Sequence, residues 1–392
     1  MPAIEQLVTA APGLAEQARA AADTTERERR ISGEFVEAMT DAGVFAALLP
    51  AGLGGVEANV GTALGVVETL AEGDGSAAWS AMIGMTSAVV AAYLPQSEAE
   101  TVYGTTGRVI SGGVFAPQAR AKVDGGVYRV SGRWSFASGC QHCDWLMGGC
   151  VVEEADGSLR AFSDGMPDAR MVLFPAAQAR VHDTWSVSGL CGTGSHDIEV
   201  DGIEVPVARS VSLMTDEPHQ PGPLYKFPVF GLLALGVASV ATGIARGAID
   251  ELLELAATKR PTGTARRLLD RSAAQTEIAR AEAELSAGRA LVTETVAEAW
   301  QEAETMVGSG GRLPVVTRAR LRLAATNATW AASSAVDRMY NLGGGSSVYR
   351  TSGLQRRFRD VHTATQHVMV QQSTFELAGR VLAGVEADTS ML

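Results

Sequence analysis

Fifteen residues, SGRWSFASGCQHCDW at positions 131–145, concentrate aromatic, hydroxyl, thiol and imidazole groups as no other stretch of the chain does. Three readings are open: a metal knuckle, the wall of a cofactor pocket, or a strand and its turn. Cys140, His142 and Cys143 are soft ligands, but adjacent His142 and Cys143 cannot easily converge on one ion. A structural zinc site also recruits a second ligand pair some distance away, and Cys150 and Cys191 complete no such spacing. No metal is expected. Trp134, Phe136 and Ser138 alternate, which puts them on one face of a strand. That face either packs into a core or offers two ring walls and a short hydroxyl donor to a ligand.

Histidines are scarce, six in all. His362 and His367 fall in RDVHTATQHVMVQQ, expected as one helix, where five residues of separation turn them roughly 140° apart. They are therefore not expected to share a ligand, although Thr363, Thr365 and Gln366 make a pocket-facing role for one of them reasonable. In NLGGGSSVYRTSG, Gly344, Gly345 and Ser346 either offer backbone N–H groups to an anion or ring carbonyl, or form a plain inter-helix loop. No strand-to-helix GxGxxG, GxxxxGK[ST] or GxSxG occurs, which argues against Rossmann or P-loop nucleotide binding and against a nucleophile-elbow hydrolase.

The elements that must position these groups fall into three textures. Residues 1–105 read as helices: Phe35, Met39, Val44 and Phe45 recur near a 3.6 period, with Ser32 as N-cap and Gly43 as a left-handed stop. Residues 106–215 are short β-rich runs divided by Gly, Asp and Pro, with hairpin signals at Asp124-Gly125-Gly126 and Asp201-Gly202. Residues 216–392 return to helical spacing and predict four long helices with short breaks, a bundle.

Bulk properties bound the partners. The chain of 392 residues is 46% hydrophobic and 19% charged, with a net charge of −12. That balance disfavours nucleic acid or an anionic membrane as partner. Two uncharged runs, 76–95 and 227–245, approach the roughly 20 residues of a bilayer span, but their Gly, Ser and Thr content marks them as buried helices of a water-soluble bundle. The N-terminal stretch lacks a basic region and compact apolar core of secretory type. With four cysteines in a long chain, free thiols and a cytoplasmic location are expected.

Helices, then a β domain carrying SGRWSFASG, then a four-helix bundle: this order resembles the acyl-CoA dehydrogenase fold across essentially the whole chain. That fold is mainly α with a central β barrel or sandwich, and its flavin lies between the β domain and the bundle. Three separated motifs, GRWSFASGCQHCDW, DTWSVSGLCGTGSHDIEVDGIEVP and LQRRFRDVHTATQHV, resemble the two-component flavin monooxygenases, most closely the indole-acetate and hydroxyphenylacetate hydroxylases.

The resemblance implies the oxygenase component of such a pair. It would take reduced FMN or FAD from a separate reductase, react it with O2 to a flavin hydroperoxide, and hydroxylate a small phenolic or indolic compound. A homotetramer is implied as well. Trp134 and Phe136 would wall the flavin and Ser138 would supply the hydroxyl beside it, with Trp185 and Ser188, or 192–195, approaching from the second motif. His367 matches the family's active-site histidine, with a role in bonding the peroxide or in taking a proton from the substrate, and His142 is a further pocket candidate. Arg271 and Gln275 match positions that reach a neighbouring subunit's flavin; otherwise they belong to a surface charge cluster with Arg266 and Arg267.

Departures from the dehydrogenase pattern point the same way. The usual catalytic glutamate lies eight residues beyond the Arg-Asp pair, a count that from Asp360 reaches Val368. Valine cannot remove the α-proton of a thioester. An acyl-CoA dehydrogenase or oxidase, an N- or S-oxygenase of the same branch, and a non-enzymatic flavin-cleft protein are the rival readings.

Overall fold

The computed structural model describes residues 2–162 and 165–392. Its N-terminal helices are α1 (Pro2–Glu28), α2 (Gly33–Asp41), α3 (Val60–Gly73), α4 (Gly75–Ser87) and α5 (Gln96–Tyr103). As the sequence predicts, the Ser32 hydroxyl accepts from Phe35 N at 3.2 Å and Gly43 closes α2 with φ +80°. Asp74 does for α4 what Ser32 does for α2: its buried carboxylate accepts the Ala77 N–H at 2.8 Å.

Seven strands follow among the described residues: β1 (Ser111–Asp124), β2 (Val127–Ala137), β3 (Trp145–Glu153), β4 (Ala169–Pro175), β5 (Arg180–His182), β6 (His196–Pro206) and β7 (Ser210–Val211). They form one sheet in the order β5-β6-β2-β1-β3-β4-β7, antiparallel except for the β1–β3 pair. Asp124 faces Val127 across Gly125 at φ +60°, the hairpin expected from the sequence. Asp201-Gly202 is not a hairpin. It lies inside β6, where the register against β2 shifts between Val130 and Gly132 and Gly202 takes φ +63°, so the signal marks a bulge. The sheet wraps its own core, with Trp134, Tyr128, Phe174 and Ile198 fully buried or nearly so.

The C-terminal part holds α6 (Val229–Thr258), α7 (Ser272–Thr305), α8 (Val315–Gly343), α9 (Gly353–Thr365) and α10 (Ser373–Leu382). The helix α6 and the span Gly75–Tyr93 are long and apolar enough to cross a membrane, yet 83% and 94% of those windows are buried inside the fold. Their small residues serve close packing. At Gly247 a Cβ would come within 2.1 Å of the Arg357 guanidinium, which crosses α6 to reach the Glu72 carbonyl.

The fourth long helix expected from periodicity is broken. α9 ends at Thr365, a 3-10 turn covers Val368–Val370, and α10 restarts at Ser373. The cause lies on α8, whose buried Arg322 donates to the Met369 carbonyl at 3.0 Å while Trp330 Nε1 donates to the Val370 carbonyl at 3.1 Å. These donors satisfy backbone oxygens that a continuous helix would have paired internally.

Candidate functional site

The strand alternation proposed for Trp134, Phe136 and Ser138 fails at a bulge. Trp134 pairs with Ile198 and Ala137 with His196, so β2 carries one residue more than β6 across this interval. Phe136 absorbs the extra residue with φ +68°, a conformation that costs a non-glycine residue about 1–2 kcal/mol. The three side chains consequently part company. Trp134 points into the β core, has no exposed surface, donates to the Gly149 carbonyl at 2.7 Å and packs on Phe174. It has no surface left to wall a flavin, which corrects that expectation. Phe136 turns outward and is 68% exposed, with Trp185 edge-on at 6.1 Å. Ser138 is buried on the far side of the bulge.

Around Ser138 the chain gathers polar groups from three distant segments. Trp79 of α4 donates its Nε1–H to Ser138 Oγ at 3.1 Å. Ser195 Oγ lies 2.7 Å from Ser138 Oγ and 2.7 Å from Thr193 Oγ1, which donates to the Leu190 carbonyl at 2.9 Å. The Trp79 ring meets His367 edge-on, with centroids 5.5 Å apart. Trp79 therefore joins Ser138 on the sheet to His367 on the bundle. Sequence reasoning missed it, although a lone tryptophan among the Gly, Ala and Ser of α4 was a readable signal, since buried indoles look for an acceptor.

His367 sits in the helix break rather than on the helix that carries His362. It caps the 3-10 turn, its Nδ1 accepting the Met369 N–H at 3.3 Å. Burial, aided by the positive charge of Arg322, pushes its pKa down to about 4. The imidazole is thus neutral near pH 7, and an accepting Nδ1 leaves the proton on Nε2. His367 offers a hydrogen bond; it does not offer a free lone pair. His362, by contrast, pairs with Asp337 at 2.8 Å.

The segment 183–195 is pinned from both sides. The buried His196 Nδ1 accepts from Thr184 N and Trp185 N at 3.2 and 3.1 Å, and Arg29 grips Asp183 and the Trp185 carbonyl. Leu190 takes φ +51°, and its N–H is caught by Asp360 of α9 at 2.6 Å. Burial, followed by the neighbouring Asp74, raises the Asp360 carboxyl to about 7. Trp185 Nε1 donates to the Leu190 carbonyl at 3.1 Å, leaving its ring half-exposed beside Phe136, while Ser188 is exposed at the loop surface.

The remaining candidates lie apart from this cluster. His142 is half-buried under Gly139 and Phe45, pushed by burial to about 4, and forms no bond to Ser138 or His367. Gly344 and Gly345 are exposed in a 3-10 turn, where Ser346 Oγ accepts from Lys259 at 2.7 Å. Arg271 and Gln275 are exposed at the start of α7, and Gln275 caps the Leu269 carbonyl. All four cysteines are free. A cavity of about 730 Å³ between α3, α6 and α7, lined by Leu64, Thr242 and Trp300 among others, shares no residue with the cluster.

An exposed, strained phenylalanine beside a half-exposed tryptophan is a flat apolar surface that folding alone does not call for. Two residues on from Phe136 stands the hydroxyl cluster, joined through Trp79 to a neutral imidazole. That donor set fits a flat heteroaromatic ring system with polar edges, such as a flavin.

Comparison with known proteins extends the pattern. Residues 4–97 match the acyl-CoA dehydrogenase N-terminal domain and residues 235–372 the acyl-CoA dehydrogenase C-terminal domain. The chain is 32% identical over 360 residues to an indole-3-acetate monooxygenase of Pseudomonas putida, covering 92% of this chain and 89% of that protein. Among solved structures, a 3-HSA hydroxylase from a Rhodococcus species superposes with TM-score 0.89 at 26% identity, covering 100% of this chain and 99% of the other. XiaF from a Streptomyces species, solved with FADH2 and glycerol, gives TM-score 0.87 at 26% identity over 98% and 96% of the two chains.

Proposed function

The chain belongs to the flavin-dependent monooxygenases of the acyl-CoA dehydrogenase-like fold, and from that premise we propose that it is an oxygenase component that hydroxylates a small phenolic or indolic compound. The observation that carries this reading is the convergence of Ser138, from the sheet, and His367, from the helix break, on one indole, Trp79, whose Nε1–H bonds the first and whose ring meets the second edge-on. Reduced FMN or FAD, delivered by a separate reductase, supplies the electrons that let O2 give up one oxygen atom to the substrate. In this reading Phe136 and Trp185 carry the flat face of the flavin and Ser138 meets its polar edge. The Nε2–H of His367 donates to oxygen and so holds a developing negative charge in a dry site. Of the two roles open to this histidine from sequence, the neutral, Nδ1-bonded ring favours the donor over the base.

The dehydrogenase reading finds no base at the counted position. Val368 occupies the counted position with 55% of its surface exposed, and Glu376 is an exposed residue of α10. Further parts of the proposal are a homotetramer, in which the exposed Arg271 and Gln275 reach a neighbouring protomer's flavin, a cytoplasmic location, and structural units at 1–105, 106–215 and 216–392.

The test is anaerobic loading with reduced flavin followed by mixing with O2 in a stopped-flow instrument. A transient near-ultraviolet absorbance that decays with formation of hydroxylated product is expected, and His367→Ala should divert most turnovers to hydrogen peroxide. Bleaching of bound oxidised flavin by an acyl-CoA, with no oxygen-dependent product from aromatic compounds, would replace this reading with the dehydrogenase.

A further inference from the structure

The hydroxyl cluster has a direction. Its two ends are chemically fixed: Trp79 Nε1–H can only donate, and it donates to Ser138 Oγ at 3.1 Å; the Leu190 carbonyl can only accept, and it accepts from Thr193 Oγ1 at 2.9 Å. Each hydroxyl between them owns one proton. With the Thr193 proton on the Leu190 carbonyl, the 2.7 Å contact to Ser195 requires Ser195 to donate to Thr193. The 2.7 Å contact between Ser138 and Ser195 then requires Ser138 to donate to Ser195. Reversing the order frees the Ser138 proton only by giving up the Thr193–Leu190 bond. Head-to-tail chains of this kind also polarise one another in a consistent sense.

Ser138 retains 6% of its surface. Its proton is committed inward and one lone pair accepts from Trp79, so what the hydroxyl has left to offer a ligand is the second lone pair. We propose that Thr193 and Ser195 are positioning residues that make Ser138 a hydrogen-bond acceptor toward the bound flavin, so that the site prefers a ring N–H to a bare ring nitrogen. This rests on the flavin reading above. Reduced flavin carries a hydrogen on N5 and oxidised flavin carries a lone pair there. With N5 at the polar edge that Ser138 meets, an accepting Ser138 would reward the first and repel the second, and the relay would thereby select the redox state that the reductase delivers. On this proposal Ser138 accepts from the flavin where the sequence alone offered a hydroxyl donor.

The experiment measures the dissociation constants of oxidised and reduced FMN and FAD for the wild-type chain and for Thr193→Val, Ser195→Ala and Thr193→Ser. In Thr193→Val, Ser195 is left to donate to Ser138, whose own proton then turns outward. In Ser195→Ala the Ser138 proton loses its inward acceptor. Both variants should lose about tenfold of the preference for reduced flavin, the worth of one hydrogen bond of changed sense. That is about 30 mV lower in the two-electron midpoint potential of the bound flavin. Thr193→Ser, which keeps the hydroxyl, should retain the wild-type ratio. An unchanged ratio in folded, flavin-binding Thr193→Val and Ser195→Ala overturns the proposal, as does a Thr193→Ser ratio equal to that of Thr193→Val. If Thr193→Val does not fold, Ser195→Ala decides alone. Failure of the wild-type chain to bind either redox state would sink the flavin reading itself, and the relay's role with it.

Discussion

The sheet side and the helix side of the candidate site reach the same end by opposite means. On the sheet side, irregular backbone does the aiming: a bulge turns Phe136 outward at φ +68°, and Leu190 at φ +51° presents its carbonyl to Thr193 and Trp185. On the helix side the backbone is ordinary, and aiming comes from side chains of α8, which seize the carbonyls of Met369 and Val370 and so stop a helix where His367 can face inward. A strand pairs with its neighbours and can lodge an extra residue at small cost, because the next register position restores the ladder. A helix pairs with itself, so displacing one residue requires outside partners for the released carbonyls. The sheet side is therefore aimed through its strand pairing, while the helix side borrows its support from the side chains of a different helix.

The largest expected effect separates two aromatics two positions apart. Trp134→Ala should cost about 3–5 kcal/mol of stability, as for a buried large aromatic. Phe136→Gly should leave stability level or raise it by up to about 1 kcal/mol, since glycine relieves the left-handed strain, yet weaken flavin binding about tenfold by removing a ring wall. Urea midpoints and flavin titrations on the two variants check this. Comparable destabilisation by both would mean that the bulge does not divide core from site.

Next comes the borrowed support on the helix side. Arg322→Met leaves the Met369 and Met391 carbonyls without their buried partner, a loss of about 2–4 kcal/mol. It also removes a positive charge that holds His367 low, so the His367 pKa should rise. In the wild-type chain the coupling of oxygen use to product should stay flat from neutral pH down to about 5 and fail as pH approaches 4, where His367 protonates. In Arg322→Met that failure should move to higher pH. A pH profile of peroxide leakage measures it, and identical limbs in both proteins would detach Arg322 from the histidine.

The smallest effect concerns the strap between the two sides. Asp360 is raised to about 7 from an ordinary value near 3.8, so the folded state holds its proton more tightly than the unfolded chain does. Its contribution is fully present below about pH 4 and is lost as pH rises through 7. Asp360→Asn keeps an acceptor for Leu190 N–H and cannot ionise. Its melting temperature relative to wild type should therefore improve from pH 5 to pH 8, by on the order of 2 °C. His142 and His367, both lowered to about 4, work in the opposite sense, contributing stability above pH 6.5 that is lost as pH falls toward 4.

Much of the architecture was legible because it rests on local patterns. Helical spacing in the N- and C-terminal parts, the Ser32 cap, the Gly43 stop and the Asp124-Gly125-Gly126 hairpin each depend on a few neighbouring residues. Ser138 and His367 were singled out through motif resemblance, and the fold joins them through Trp79. What was misread shares one feature: the deciding partner is far away in sequence. Whether Asp201-Gly202 turns or bulges depends on pairing with Val130 and Gly132 of β2. Trp134 turns inward and Phe136 outward because β6 sits one residue short against them.

By itself, then, the amino-acid sequence determined the order of helices, strands and helices, the caps, and which residue types could serve flavin chemistry, because propensity, period and side-chain chemistry are properties of short segments. Only the tertiary structure decided where the last helix breaks, that Trp134 turns into the core while Phe136 turns outward, that burial holds the His367 pKa low, and which groups stand at the two ends of the hydroxyl chain. Each of those outcomes depends on burial or on a hydrogen-bond partner that folding brings in from many residues away. The sense of the chain is set by an indole at position 79 and a carbonyl at position 190, and no window of sequence contains both.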